Sequence, residues 1–183
     1  MKLSTEKAQR LIDGCCRGDQ RACKELYDLF APKMYAICLR YTSDTHAAEE
    51  VLQTGFIKVF ESLNRLKDVY ALDKFLCGIF VHTAISYYRS MRPVADVDSY
   101  VETADDLYAD SEKIYSQIDI HIILDAIRQL PERYRSVFNL CQIEGYSFDD
   151  AAAELGIQTS SVRSDFFRAR AILAQKLQKY REK

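Results

Sequence analysis

The chain is poor in the residues that interrupt helices, with six glycines and three prolines in 183 residues. An all-β fold needs many more turn signals, so that class is excluded. No apolar run approaches the ~18 residues of a membrane-crossing helix; Phe75 to Val81 is soon followed by polar residues. Residues Met1 to Lys7 have no apolar core, so no secretory signal is expected and the protein reads as cytoplasmic, with no membrane insertion of its own. Hydrophobic residues make up 48%, too many for a wholly disordered chain. Cys15, Cys16, Cys23, Cys38, Cys77 and Cys141 form no Cys-x-x-Cys pair. Reduced thiols are expected, most of them small buried hydrophobes. Zinc ligation by these cysteines with His46, His82 or His121, and a redox use of Cys15-Cys16, are the alternatives, and neither has the usual spacing behind it. No nucleophile–base pair, phosphate loop or metal motif is present, so no catalytic residue, cofactor or metal is expected and an enzyme is the class with least support.

Charge is nearly balanced in total, at a formal −2, but unevenly spread. Residues 1–92 carry 14 Lys and Arg against 11 Asp and Glu, net +3. Residues 93–120 carry 1 against 8, net −7, and residues 121–183 carry 10 against 8, net +2. Two mildly basic modules joined by an acidic linker are the natural reading. The linker begins near Pro93, includes Asp96, Asp98, Glu102, Asp105, Asp106, Asp110 and Glu112, and is too poor in large aliphatics to build a core.

Helical spacing runs through both modules. Ala8, Leu11 and Ile12 mark a first helix over Thr5 to Cys16, after which Gly18-Asp19 breaks and caps. A second presents Ala22, Leu26, Leu29, Phe30, Ile37 and Tyr41, with Pro32 expected to kink or split it. Asp44 or Thr45 starts a third, with Ala48, Val51, Leu52, Phe56, Val59 and Leu63 inward, and Leu72, Phe75, Leu76, Ile79 and Ala84 line a fourth. Beyond the linker, a helix is expected over Ile118 to Leu130, then one with Pro131 at its first position reaching about Ile143. A short helix over Phe148 to Leu155 precedes a long last one, where Val162, Phe166, Ala169, Leu173 and Leu177 face inward.

The last two helices follow the helix-turn-helix plan. Gly156 permits a left-handed residue, Ile157 plugs the angle, and Thr159 or Ser160 is expected to cap the second helix. Its outward side would present Ser160, Ser161, Arg163, Ser164, Phe167 and Arg168, the small polar and arginine side chains that groove-reading helices use. The plainer alternative is an αα-hairpin with a solvated basic face.

At this point the chain resembles a family. Residues 124–173, with Leu130-Pro131-Glu132 and Tyr134-Arg135 near their start and Arg168-Ala169-Arg170 near their end, look like region 4 of a bacterial RNA polymerase sigma factor of the extracytoplasmic-function (ECF) group. Gly18-Asp19, Leu26-Tyr27 and Ala31-Pro32 agree, and Ala48-Glu49-Glu50-Val51-Leu52-Gln53 with Phe56 resembles the region 2 helix that grips the polymerase clamp. Phe75-Leu76 and Ile79 resemble the promoter-melting segment. The chain departs from the family at Thr54, Phe60, Phe75, His82 and Ser86, and at Asp165, where a basic residue is usual. An acid there would repel phosphate or pair with a neighbouring Arg.

The resemblance implies an all-α protein of two small helical domains: residues 1–92 (region 2), an acidic linker over 93–117, and residues 118–183 (region 4). It implies polymerase binding through Glu49, Glu50, Leu52, Gln53 and Phe56, with the clamp and flap of core RNA polymerase as partners. Minus-thirty-five reading would fall to Ser160, Ser161, Arg163, Ser164, Phe167 and Arg168, and minus-ten contact to Lys74, His82, Arg89 and Arg92. Promoter DNA and a dedicated anti-sigma factor, often membrane-bound in that group, complete the expected partners. Two other readings stay open: a helix-turn-helix regulator with a helical sensor domain, and a sigma-like adaptor that binds polymerase or an anti-sigma factor but no promoter.

Overall fold

A computed structural model describes residues 4–42, 44–91, 119–178 and 180. The acidic linker and Arg92 therefore lie outside the described residues. All regular structure among those described is helical: α1 (Thr5–Cys16), α2 (Gln20–Tyr41), α3 (Thr45–Ser62), α4 (Leu72–Met91), α5 (Ile120–Arg128), α6 (Glu132–Phe138), α7 (Phe148–Leu155) and α8 (Thr159–Gln178). Short 3-10 turns at Leu63–Arg65 and Val69–Ala71 join α3 to α4. Two compact units result, Met1–Leu39 with Asp44–Tyr87, and Arg40–Ser43 with Tyr88–Lys183.

In the first unit, helix starts are set by side-chain caps. Ser4 accepts from Lys7 N at 3.3 Å, Asp19 from Arg21 N at 2.9 Å and Asp44 from Ala47 N at 2.8 Å, each satisfying an amide that the first turn leaves without a partner. The expected inward residues of α1 and α3 are all buried, as are Leu26 and Ile37 of α2. An aromatic cluster ties three helices together. The Phe56 ring lies 4.5 Å from that of Tyr27 on α2, 6.1 Å from Phe60 and 5.1 Å, edge-on, from Phe80 on α4. Gly55 makes this possible, because a Cβ there would overlap the Phe80 ring.

Two expectations change here. Pro32 does not split α2, which runs unbroken from Gln20 to Tyr41. Pro32 and Asp28, whose carbonyl loses its usual donor, are both exposed, so access to solvent limits the cost of the missing N–H. Val69–Met91 is long and apolar enough, on length and composition, for a membrane crossing. The apolar content has a nearer explanation: Leu72, Leu76, Phe80, Val81, Ala84 and Ile85 are buried in the folded protein. Burying each large side chain contributes ~1.5–3 kcal/mol, which is what a core helix needs from such residues.

In the second unit α8 packs on α6, α7 and α5. The first helix here starts at Ile120 behind an Asp119 cap, later than expected. Pro131 occupies the cap position of α6 rather than its first turn, and its carbonyl accepts from Arg135 N at 2.9 Å. The ring's fixed φ suits either place, and both spare the missing N–H. α6 continues through a π-helical turn, Asn139–Ile143. The turn between α7 and α8 matches its sequence signal. Gly156 adopts φ 67° and ψ 38°, and Gly156 N and Ile157 N both return to Ala152 O.

Candidate nucleic-acid interface

The geometry of α7 and α8 starts from three hydrogen bonds near their first turns. Ser147 caps α7 by accepting from Asp150 N at 3.1 Å, and its hydroxyl donates to Asp150 Oδ2 at 2.6 Å. Thr159, the first residue of α8, donates through Oγ1 to Asp149 Oδ1 at 2.9 Å. The expected cap by Thr159 or Ser160 is therefore not what forms. The helix begins at Thr159, Val162 N reaches back to Gln158 O at 3.1 Å, and the Thr159 hydroxyl ties α8 to α7 instead.

Core packing then selects which residues of α8 remain outside. Val162, Phe166, Ala169, Leu173 and Leu177 are buried, as expected. Ser160, Arg163 and Ser164 are exposed. Phe167 and Arg168 are half-buried, and the Phe167 ring packs against Phe148 at 6.2 Å and Phe166 at 5.5 Å. Ser161 is buried, at 7% exposure, and is a correction: it lies one turn before Asp165 on the inward flank of the helix. Arg163 lies over the face of Phe148 with its guanidinium carbon 5.7 Å from the ring centroid.

Asp165 follows one of its two expected courses, pairing with a neighbouring arginine. It does not look outward towards phosphate but is buried at 1% exposure, and Arg133 Nε of α6 donates to its Oδ2. The Leu-Pro-Glu-x-Tyr-Arg stretch that carried the sequence resemblance thus supports α8 from behind. Its Arg135 is buried too, donates to Arg128 O at 2.8 Å, and has its pKa lowered by burial, with Glu132 opposing the shift.

On α3, Glu49, Glu50 and Gln53 are exposed, whereas Leu52 (8% exposed) and Phe56 (3%) are not. Those two belong to the core, because Phe56 is the centre of the aromatic cluster and Leu52 shares the stripe of Ala48, Val59 and Leu63. The pattern missed Ile57, which is 58% exposed one turn after Gln53. Its signal was legible as an apolar residue off the inward stripe. On α4, Lys74, His82 and Arg89 are all exposed, and at ~100° per residue they fall within ~80° about the axis.

Fold and exposed face together define a helix-turn-helix DNA-binding protein with a second helical bundle before it in the sequence. Comparison with known proteins makes this specific. Residues 26–93 match the family described as Sigma-70 region 2, and residues 120–173 match Sigma-70, region 4. The RNA polymerase sigma-H factor of Pseudomonas aeruginosa is 30% identical over 96% of this chain and 96% of that protein. The ECF RNA polymerase sigma-E factor of Haemophilus influenzae is 28% identical over 93% and 95%. SigW of Bacillus subtilis, another ECF sigma factor, is 26% identical over 88% and 91%. Among solved structures, the sigma factor RpoE in complex with the anti-sigma factor NepR from Bartonella quintana is 22% identical, with a TM-score of 0.49, over 85% of this chain and 96% of that one. CnrH in complex with the cytosolic domain of CnrY is 20% identical, with a TM-score of 0.47, over 92% and 96%.

The chain belongs to the ECF group of the sigma-70 family of RNA polymerase sigma factors. Its function is to direct core RNA polymerase to promoters, which it does by binding and not by a reaction of its own.

Proposed function

We propose that the minus-thirty-five duplex is read by the open face of α8, with Arg163 as the base-contacting residue and Ser160 and Ser164 beside it. The observation that supports this is exposure. Arg163 stands on the solvent face, among the described residues it has no carboxylate partner, and its donors are available to a guanine edge. Phe167 and Arg168, half-buried, flank that contact; Ser161 has no part in it. The domain assignment is residues 1–92 for polymerase and minus-ten binding, 93–117 for the linker and 118–183 for minus-thirty-five binding. Glu49, Glu50 and Gln53 form the polymerase face of α3, and Lys74, His82 and Arg89 track the minus-ten strand along α4, with Arg92 continuing the same basic sequence. Melting is assisted by holding unstacked bases in that basic face. The protein works in the cytoplasm, and an anti-sigma factor is its regulatory partner.

Promoter-directed transcription with purified core enzyme tests the reading. The parent should support initiation from a selected promoter, and Arg163→Ala should lose ~1–3 kcal/mol of discrimination at one upstream base pair. Equal loss at every sequence would make Arg163 a phosphate contact. Polymerase binding with no initiation would make the protein an adaptor.

A further inference from the structure

We propose that Phe148, the first residue of α7, is a positioning residue that presets Arg163 for base reading; this rests on the duplex reading proposed above. Three contacts carry it. Arg163 lies over the Phe148 ring at 5.7 Å, within the ~6 Å over which a ring face attracts a cation. The Phe148 ring is itself held from two sides, by Phe166 at 5.4 Å and Phe167 at 6.2 Å, both near edge-on. Its backbone is held by the Ser147 cap behind it and by the Thr159–Asp149 bond that joins the first turns of α7 and α8. An aromatic ring with so little freedom is a fixed platform.

The physical consequence concerns entropy and geometry. A free arginine side chain loses up to ~2 kcal/mol of rotamer freedom when it is fixed. A guanidinium already resting on a ring loses less on binding. Attraction by the ring uses the face of the guanidinium and leaves the N–H donors at its edge, which are the atoms that reach guanine O6 and N7. No carboxylate competes for these donors among the described residues, in contrast to Arg133, whose Nε is committed to Asp165. Arg133 of α6 meets the inward side of α8 at Asp165, Arg163 stands on the outward side of α8, and the two have opposite tasks: one holds α8 in place, the other is held ready.

The test is a double-mutant cycle on the full chain assembled with core RNA polymerase. Parent, Phe148→Leu, Phe148→Tyr, Arg163→Ala and Phe148→Leu/Arg163→Ala holoenzymes are each presented with a duplex library randomised over the upstream element, and base preference at each position is read by sequencing. Phe148→Leu should reduce preference at the position that Arg163→Ala relaxes, by about two- to fivefold, the size of a partly exposed cation–π contact. It should have no further effect in the Arg163→Ala background, and Phe148→Tyr should restore the parental preference. Melting temperatures control for packing, because lost contact with Phe166 and Phe167 lowers stability equally in both backgrounds. If Arg163→Ala leaves base preference unchanged, the duplex reading fails and the inference with it. If Arg163→Ala relaxes one position but Phe148→Leu acts additively or not at all there, the duplex reading stands and the positioning role is overturned.

Discussion

Asp165 stands in a helix whose open face carries Ser160, Arg163 and Ser164, yet its carboxylate is buried against Arg133. Its charge therefore acts on stability and not on phosphate. Asp165→Ala removes the carboxylate that accepts from Arg133 Nε. The Arg133 side chain is 27% exposed, so water recovers part of the loss, and the expected cost is ~1–3 kcal/mol. Thermal melting should fall, by ~4–8 °C for each kcal/mol in a unit of this size, while the salt dependence of DNA binding stays parental. A gain in DNA affinity without lost stability would put Asp165 back on the DNA face. Cys38 gives a second residue-scale effect. It is fully buried, and burial pushes its thiol from 9.0 up to about 12. The folded pKa exceeds the unfolded one, so the contribution is complete below pH ~9 and is lost as pH rises towards 12, at up to ~1.4 kcal/mol per pH unit. Denaturant unfolding of Cys38→Ala should show a shallower decline across that window than the parent; equal slopes would refute the assignment.

Among the elements, α3 divides its work by face. Leu52 and Phe56 hold the bundle, and Glu49, Glu50 and Gln53 are left for a partner. Glu50→Lys with Gln53→Ala should change stability by no more than ~0.5 kcal/mol, as surface substitutions do, yet weaken co-purification with core polymerase. Phe56→Ala should instead cost ~3–5 kcal/mol of stability, because it empties the centre of the Tyr27–Phe60–Phe80 cluster. If the double variant co-purifies like the parent, the polymerase face lies elsewhere. Helix existence and inward stripes were legible at this scale because periodicity reports burial directly: Ala48, Val51, Leu52, Phe56, Val59 and Leu63 are all buried. The outer residues were less legible. Ser161 and Asp165 are polar by composition but lie at the margin of the stripe, where a neighbouring helix decides whether water reaches them.

At the scale of the whole molecule the uneven charge remains to be used. Residues 93–120 carry net −7 between segments of +3 and +2. Carboxylates tethered to basic segments compete with phosphate for the same cations, with a reach of ~10 Å at 0.1 M salt. Changing Asp96, Asp98, Asp105, Asp106 and Asp110 to Asn should raise DNA binding by the isolated protein at low salt and reduce initiation by the holoenzyme. Parental values of both at low salt would leave the acidic stretch as a tether.

The sequence by itself determined the helical class, the caps at Asp19 and Asp44, the left-handed turn at Gly156 and the family, because each depends on local backbone chemistry or on residues in fixed order. Only the tertiary structure decided that Asp165 pairs with Arg133, that Phe56 meets Tyr27 and Phe80, that Thr159 bonds Asp149 and that Arg163 rests on Phe148. Each of those joins side chains from different helices. Helical spacing gives the direction in which a residue leaves its own helix, and the partner it meets depends on how a second helix is packed against the first.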